Sequence, residues 1–212
     1  MSEFSKIAFL GTVLMGSPMC KNLLSAGLPL TMWNRSQAKT DPLAKRGAEV
    51  ADSPNSAVTD SDVVITMLSD GTAVADIMFV QGVAEAICEG ATRIDMSSIG
   101  THEAIDHAKR HTEHGVCYLN APFSGGTKGA VAGELAIMAG GDAETFVAVC
   151  PAWTSDARGA KRMRPIGQAR QPGNCGHHHR CCERSVDSCW WRNCRDVIPT
   201  KEAQNVEPQS GK

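Results

Sequence analysis

Lys6-Ile7-Ala8-Phe9-Leu10-Gly11-Thr12-Val13-Leu14-Met15-Gly16 is the stretch on which the reading of this chain turns. A short apolar run that ends at a glycine suits a parallel strand buried on both faces. Met15, Met19, Leu23 and Leu24 follow at helical spacing, and Gly27 stands where a glycine closes a helix. Strand, glycine turn and helix, in that order, form the opening unit of a dinucleotide-binding fold. Its fingerprint wants glycine at the first, third and sixth places of the turn, and Gly11 and Gly16 fill the first and last. Gly11 supplies the tight turn and Gly16 the close helix–strand packing. Val13 takes the place where a missing side chain lets the backbone approach a pyrophosphate. A β-branched residue there crowds the phosphate and costs roughly 1–3 kcal/mol if its φ is positive. On this reading Gly11, Thr12, Val13, Leu14, Met15 and Gly16 contact the cofactor. A strand–turn–helix that holds no nucleotide is the plainer alternative.

The next apolar segment, Leu28 to Trp33, runs into Asn34-Arg35-Ser36, about twenty residues past the turn. An acidic residue there would accept the ribose 2′-hydroxyl and favour NAD. Arg35 and Ser36 instead offer a cation and a hydroxyl to a 2′-phosphate, which makes NADP the expected cofactor and NAD the less favoured one. The alternative is a solvated Arg35 and a Ser36 that merely caps the next helix. Val63-Val64-Ile65-Thr66-Met67-Leu68 and Arg93-Ile94-Asp95-Met96 are further buried-strand runs. Ligands of such sheets lie outside the carboxyl ends of the strands, so Met67, Leu68 and Ser69 are expected beside adenosine and ribose, and Ser97-Ser98 beside the nicotinamide. The fold class that follows is α/β, a Rossmann-like, doubly wound, mostly parallel sheet.

Thr101 to His114 has the pattern of an amphipathic helix, with Ala104, Ile105 and Ala108 inward. His107, His111 and His114 share a face at a spacing metal ligands use, but no carboxylate or fourth ligand accompanies them. The expectation is a solvated helix face and no metal site.

Several stretches resemble the β-hydroxyacid dehydrogenases, the family of 3-hydroxyisobutyrate dehydrogenase and 2-hydroxy-3-oxopropionate reductase, whose cofactor domain is shared with 6-phosphogluconate dehydrogenase. They are Ile7 to Gly11, Met15-Gly16-Ser17-Pro18-Met19, Lys21 to Gly27, Asn120-Ala121-Pro122-Phe123-Ser124-Gly125-Gly126 and Gly133 to Gly141. The resemblance runs from Lys6 to about Pro151. It departs at Val13, normally glycine, at Asn120, normally aspartate, and at Phe123, normally valine. It implies cofactor contacts at Met67, Leu68, Ser69 and Ser98. It also implies that Ser124 and the amides of Gly125 and Gly126 meet the carboxylate and hydroxyl of a small carboxylic acid; successive amides beside glycines form an anion-binding concavity. The implied activity is hydride transfer between NADP(H) and a 3-hydroxy or semialdehyde acid. The alternative is a catalytically inactive remnant that binds NADP weakly.

The composition changes near Pro151, so the reading divides the chain into 1–151, an NAD(P)-binding domain, and 152–212, a tail. Residues 151–212 contain no Leu, Phe or Tyr but hold eight of twelve arginines, five of nine cysteines and three of four tryptophans. Too few apolar residues remain to offset the entropy of ordering them, so a largely disordered tail is expected. In the resembled family a last strand and a helix bearing the catalytic lysine in a Lys-x-x-Asn pattern come next, opening an all-α domain that builds a dimer or tetramer. No such pattern occurs here, so no catalytic residue is assigned and the oligomer is expected to be lost. If the codons of Gln168 to Gly173 are read from their second base they can encode Lys-Leu-Ala-Asn-Gln. Those of Asn174 onward can give Ile-Val-Val, and those of Arg184-Ser185-Val186 Glu-Ala-Leu. A frameshift near residues 151–156 is the expected cause. The same shift accounts for His177-His178-His179 beside Cys181, Cys182, Cys189 and Cys194, where adjacent ligands fit no usual zinc spacing.

The net charge is −2. The basic tail carries no nucleic-acid motif or basic–aromatic pattern, and no stretch approaches a membrane span, so neither a nucleic acid nor a membrane is expected as partner. Met1–Lys6 leads into a strand rather than a signal peptide, and the expected setting is soluble and cytoplasmic. There Cys20, Cys88, Cys117 and Cys150 read as small buried or half-buried thiols.

Overall fold

The computed structural model describes residues 6–12, 14–154 and 163–166. Val13, the histidine–cysteine cluster of residues 177–194 and the shifted-frame segment from Gln168 onward lie outside the described residues. Packing of the backbone divides the chain after Gln168, and every described residue belongs to the first unit.

Five buried runs become parallel strands: β1 (Ile7–Leu10), β2 (Leu30–Trp33), β4 (Val63–Thr66), β5 (Thr92–Asp95) and β6 (Cys117–Asn120), with the two-residue β3 (Glu49–Val50) beside β2. Their spatial order is β3-β2-β1-β4-β5-β6, all parallel. The order reverses between β1 and β4: the chain first winds outward from β1 to β3, then crosses to β4 and winds the other way. That reversal is the switch point where an open α/β sheet makes its ligand crevice. Beyond β6 the sheet turns antiparallel. β8 (Ala136–Gly141) takes both β6 and β7 (Phe123–Ser124) as antiparallel partners and β9 (Met163–Ile166) as a parallel one.

Helices cover both faces. One apolar cluster joins Phe9, Met32, Ile65 and Ile94 to α1 (Gly16–Ser25), α2 (Asp41–Ala44) and α8 (Ala143–Thr154). The other joins Ala8, Leu10 and Val64 to α3 (Pro54–Val58), α4 (Gly71–Ala75) and α5 (Val83–Ala86). Alternate residues of β1 therefore enter different cores, and this run is apolar throughout because both its faces are buried. At the end of α1, Gly27 has φ +78 and the Leu28 N–H donates to the Leu23 carbonyl at 3.2 Å, the closure expected of a C-terminal glycine. Asp142 starts α8 by accepting the Thr145 N–H at 2.9 Å. That helix reaches Thr154, so regular structure continues past the composition break, and β9 follows it.

The structure corrects three readings of buried and exposed positions. In α6 (Thr101–Glu113) the inward stripe is Ala104, His107, Ala108 and His111, while Ile105 is 58% exposed. His107 and His111, expected in solvent, are buried; His114 alone of the three is exposed. The stripe follows helical spacing, and the two imidazoles meet polar partners brought in by β5. Cys20 is buried and Cys117 half-buried as expected, but Cys88 is exposed. No group of His, Cys, Asp and Glu able to hold a metal occurs among the described residues. None of their helices is long and apolar enough to cross a membrane.

Candidate functional site

At the switch point β1 ends against β4. Gly11 adopts φ +100, and a Cβ there would overlap the Met67 carbonyl oxygen. A Cβ on Gly16 would overlap the Gly11 carbonyl oxygen and press on the Phe9 ring. Both glycines are thus required by space, in the roles the sequence gives them: a turn tight enough to clear β4, and a helix packed against its own strand. The turn is pinned from β2 as well. The Gly11 N–H donates to the Trp33 carbonyl at 2.9 Å, and the Thr12 N–H to Asn34 Oδ1 at 3.2 Å. Asn34 Nδ2 then donates to the Ser36 carbonyl at 2.9 Å, so one buried amide ties the glycine turn to the Arg35 loop. This is a link that sequence reasoning missed, although Asn34 itself was singled out.

Helix α1 begins without a side-chain cap and without an acid in its first turn. Its leading N–H groups and the positive end of its dipole are left to an anion. The Thr12 hydroxyl is buried in the same turn and has no partner among the described residues. Leu14 is exposed and Met15 half-buried at the rim. Arg35 and Ser36 are both exposed. Ser36 sits at the start of a short 3-10 turn (Gln37–Lys39) but its side chain makes no capping hydrogen bond, which leaves the hydroxyl available. A glycine cradle, an uncapped helix start and a cation beside a hydroxyl at the end of β2 fit a dinucleotide.

Further along the same edge, Met67 and Leu68 are half-buried and Ser69 exposed. The Met67 N–H donates back to the Leu10 carbonyl at 2.8 Å. The two serines after β5 divide the work: Ser97 is buried, and Ser98 is exposed. Ser124 ends β7 exposed, and Gly125 and Gly126 follow with φ +131 and +58. Helix α7 (Gly126–Ala132), which they open, lies against α1, where Asn22 Nδ2 donates to the Ala130 carbonyl at 2.9 Å and the Thr127 hydroxyl to Met15 Sδ at 3.9 Å. The fold therefore brings the glycine turn and the Ser124 loop to neighbouring helices. Asn120, at the end of β6, has a buried Oδ1 with no hydrogen-bond partner among the described residues.

Below this edge is a cluster that sequence reasoning did not find. Arg93 and Asp95 of β5, wholly buried, pair at 2.8 Å. Arg93 Nη1 lies 3.4 Å from His111 Nε2, and His111 Nδ1 is 2.7 Å from the His107 carbonyl. A carbonyl can only accept, so Nδ1 carries the proton and Nε2 accepts from Arg93: His111 is neutral. Burial and then the Arg93 charge push its pKa down to about 3. Burial pushes the Asp95 carboxyl up, but the His107 imidazole, the Arg93 charge and Ser97 together outweigh it and hold it at about 2. Burial raises the Tyr118 phenol above its ordinary range. The Phe79 ring lies against His107 at 4.9 Å with the planes tilted by 55°, and the Arg110 guanidinium lies 3.7 Å from the Phe79 ring centre, sealing the cluster.

Residues 6–163 match the family described as the NAD binding domain of 6-phosphogluconate dehydrogenase. Glyoxylate/succinic semialdehyde reductase 1 of Arabidopsis thaliana is 38% identical over 164 residues, covering 77% of this chain and 56% of that protein. Among solved structures, the 3-hydroxyisobutyrate dehydrogenase of Mycobacterium tuberculosis, determined with L-serine, superposes with a TM-score of 0.72 at 35% identity, over 79% of this chain and 55% of its own. An imine reductase from Myxococcus stipitatus in complex with NADP+ gives 0.70 at 26% identity, over 76% and 55%. The chain spans about half the length of the curated relatives it matches.

Proposed function

We propose a function from one premise: this chain belongs to the family of NAD-binding domains typified by 6-phosphogluconate dehydrogenase, the β-hydroxyacid dehydrogenase group. Its edge at β1, β2, β4 and β5 binds NADP in preference to NAD. The observation that carries this is the exposed pair Arg35–Ser36 at the end of β2, held by Asn34 to the turn that receives the pyrophosphate. Gly11 to Gly16 cradle the phosphates, Asn34, Arg35 and Ser36 the 2′-phosphorylated ribose, Met67 to Ser69 the adenosine side, and Ser98 the nicotinamide. When bound, the cofactor supplies the hydride acceptor or donor. Ser124, Gly125 and Gly126 offer a hydroxyl and two amides to the carboxylate of a small 3-hydroxy or semialdehyde acid.

The lineage is that of an oxidoreductase, but a second reading rests on the sequence itself. No Lys-x-x-Asn pattern occurs in the chain. Without that ammonium no group of this chain is assigned to move a proton at the substrate oxygen, and binding without turnover is the expected behaviour.

Titration of the purified chain with NADPH and NADH tests the cofactor. NADPH is expected to bind at least tenfold more tightly, a difference of about 1.4 kcal/mol, and Arg35→Asp to erase or reverse the preference. Equal affinities before the substitution overturn the assignment. Oxidation of NADPH with tartronate semialdehyde or succinic semialdehyde, above the buffer blank, overturns the binding-only reading. The coding DNA around Cys150 settles the tail separately: a shifted frame encoding Lys-Leu-Ala-Asn-Gln supports the frameshift, and a frame without it ends that account.

A further inference from the structure

The cluster under β4 and β5 has a feature that the cofactor reading leaves unused. One carboxylate oxygen, Asp95 Oδ1, accepts the Ser97 backbone N–H and the Thr66 hydroxyl, each at 3.0 Å. The Ser97 hydroxyl accepts the Leu68 backbone N–H, also at 3.0 Å. The exit of β4, which carries Met67, Leu68 and Ser69, is therefore fastened to the exit of β5, which carries Ser98, through two buried side chains.

Stability alone does not explain such an arrangement. Desolvation offsets most of what a buried ion pair gains, and apolar residues of the same volume often serve as well or better. Here the accounting is poorer still, because Arg93 Nε is buried without a hydrogen bond among the described residues and His107 Nδ1 comes no nearer than 3.8 Å to Asp95 Oδ2. What the pair does supply is placement. Arg93 takes Asp95 Oδ2 and keeps the carboxylate ionised; Oδ1 is then aimed at the gap between the two exits, where an ionised oxygen holds donors more strongly than a neutral one.

The geometry points to Asp95 and Ser97 as positioning residues for the nucleotide site: they fix the spacing of the Leu68 and Ser98 backbones before any ligand arrives. Neither reaches the edge itself, since both are buried. The inference rests on the cofactor reading for its purpose, but the fastening it describes exists in the cofactor-free chain and is measured there.

Ser97→Ala removes the hydroxyl that receives the Leu68 N–H and leaves Arg93 and Asp95 in place, and Ser97→Thr restores a hydroxyl. Asp95→Asn discharges the anchor; should that variant fail to fold, Ser97→Ala carries the test. Val58→Ala, within α3, loosens the apolar core and touches none of the hydrogen bonds of the Arg93–Asp95 cluster. NADPH affinity, thermal midpoint and hydrogen exchange at the Leu68 amide are read for each. Ser97→Ala is expected to weaken NADPH about fivefold to tenfold and to speed Leu68 exchange, with Ser97→Thr recovering both. Val58→Ala is expected to lower the thermal midpoint and leave NADPH affinity unchanged. Unchanged Leu68 exchange in Ser97→Ala refutes the fastening. Unchanged NADPH affinity in that variant, in a chain whose native form binds, refutes positioning and leaves the cofactor reading intact. A native chain that binds neither NADPH nor NADH sinks the cofactor reading and, with it, the purpose assigned to these residues.

Discussion

At the exit of β1 the chain makes room by leaving side chains out, whereas under the exit of β5 it fills the space with charge. Gly11 and Gly16 act through what they lack: any Cβ would strike a carbonyl oxygen. Arg93, Asp95 and His111 act through groups that are costly to bury and that constrain one another's protonation. Both devices fix backbone at the same edge of the sheet. They differ in how they fail. A glycine turn fails by steric overlap at any pH; an ionic cluster fails when one partner is lost or a proton arrives.

The largest break is expected from Arg93→Met, which leaves the Asp95 carboxylate buried without its partner. A loss of about 3–5 kcal/mol follows, readable in urea unfolding. Asp95→Leu combined with Arg93→Met should recover much of it, because the cost lies in the orphaned charge.

Acid separates the two devices next. The unfolded chain protonates His111 below about 6.5, while the folded chain refuses that proton until about 3. Stability is therefore full above pH 6.5 and falls steadily as the pH drops toward 3, by roughly 3 kcal/mol at pH 4. Asp95, ionised in the fold down to about 2, adds a further loss below about pH 4. Unfolding free energies measured from pH 7 to pH 4 should flatten in His111→Phe. An equal slope in the variant would mean the imidazole is not held neutral.

Gly16→Ala is a smaller, pH-independent break. The new methyl must displace the Gly11 carbonyl or the Phe9 ring, costing about 1–3 kcal/mol, and NADPH affinity should fall with it because the turn moves. The smallest effect sharpens the comparison from the other side. Val13→Gly extends the strategy of omission to the third fingerprint position and should tighten NADPH about tenfold, near 1.4 kcal/mol. No gain would mean that the loop already clears the phosphate.

The contrast also explains what could be read from the residues alone. The glycine turn was legible because apolar runs, helical spacing and Gly11, Gly16 and Gly27 all point to one local geometry. The ionic cluster was not, since Arg93 and Asp95 alternate on a four-residue strand with no motif to mark them, and the residues gathered around the pair, His107, His111 and Tyr118, come from α6 and β6. A trace existed in α6. Ala104, His107, Ala108 and His111 keep the spacing of a buried stripe that Ile105 does not share, so the period was a better guide to burial than hydropathy. The antiparallel end of the sheet was equally hard to see, because Phe123–Ser124 is two residues long and Ala136–Gly141 is rich in glycine and alanine. Long-range pairing, rather than strand propensity, makes them strands.

That end of the sheet bears on how the protein behaves in concentrated solution. Over Ile137–Gly140 the edge of β8 away from β6 and β7 is paired with Met163–Ile166. A row of backbone donors and acceptors that would otherwise invite another chain is thereby covered. The covering strand is short, and Pro165 within it has no N–H to offer a newcomer. A chain cut after Thr154 would uncover the Ile137–Gly140 edge of β8 as a template, and should self-associate through strand addition more readily than the uncut chain.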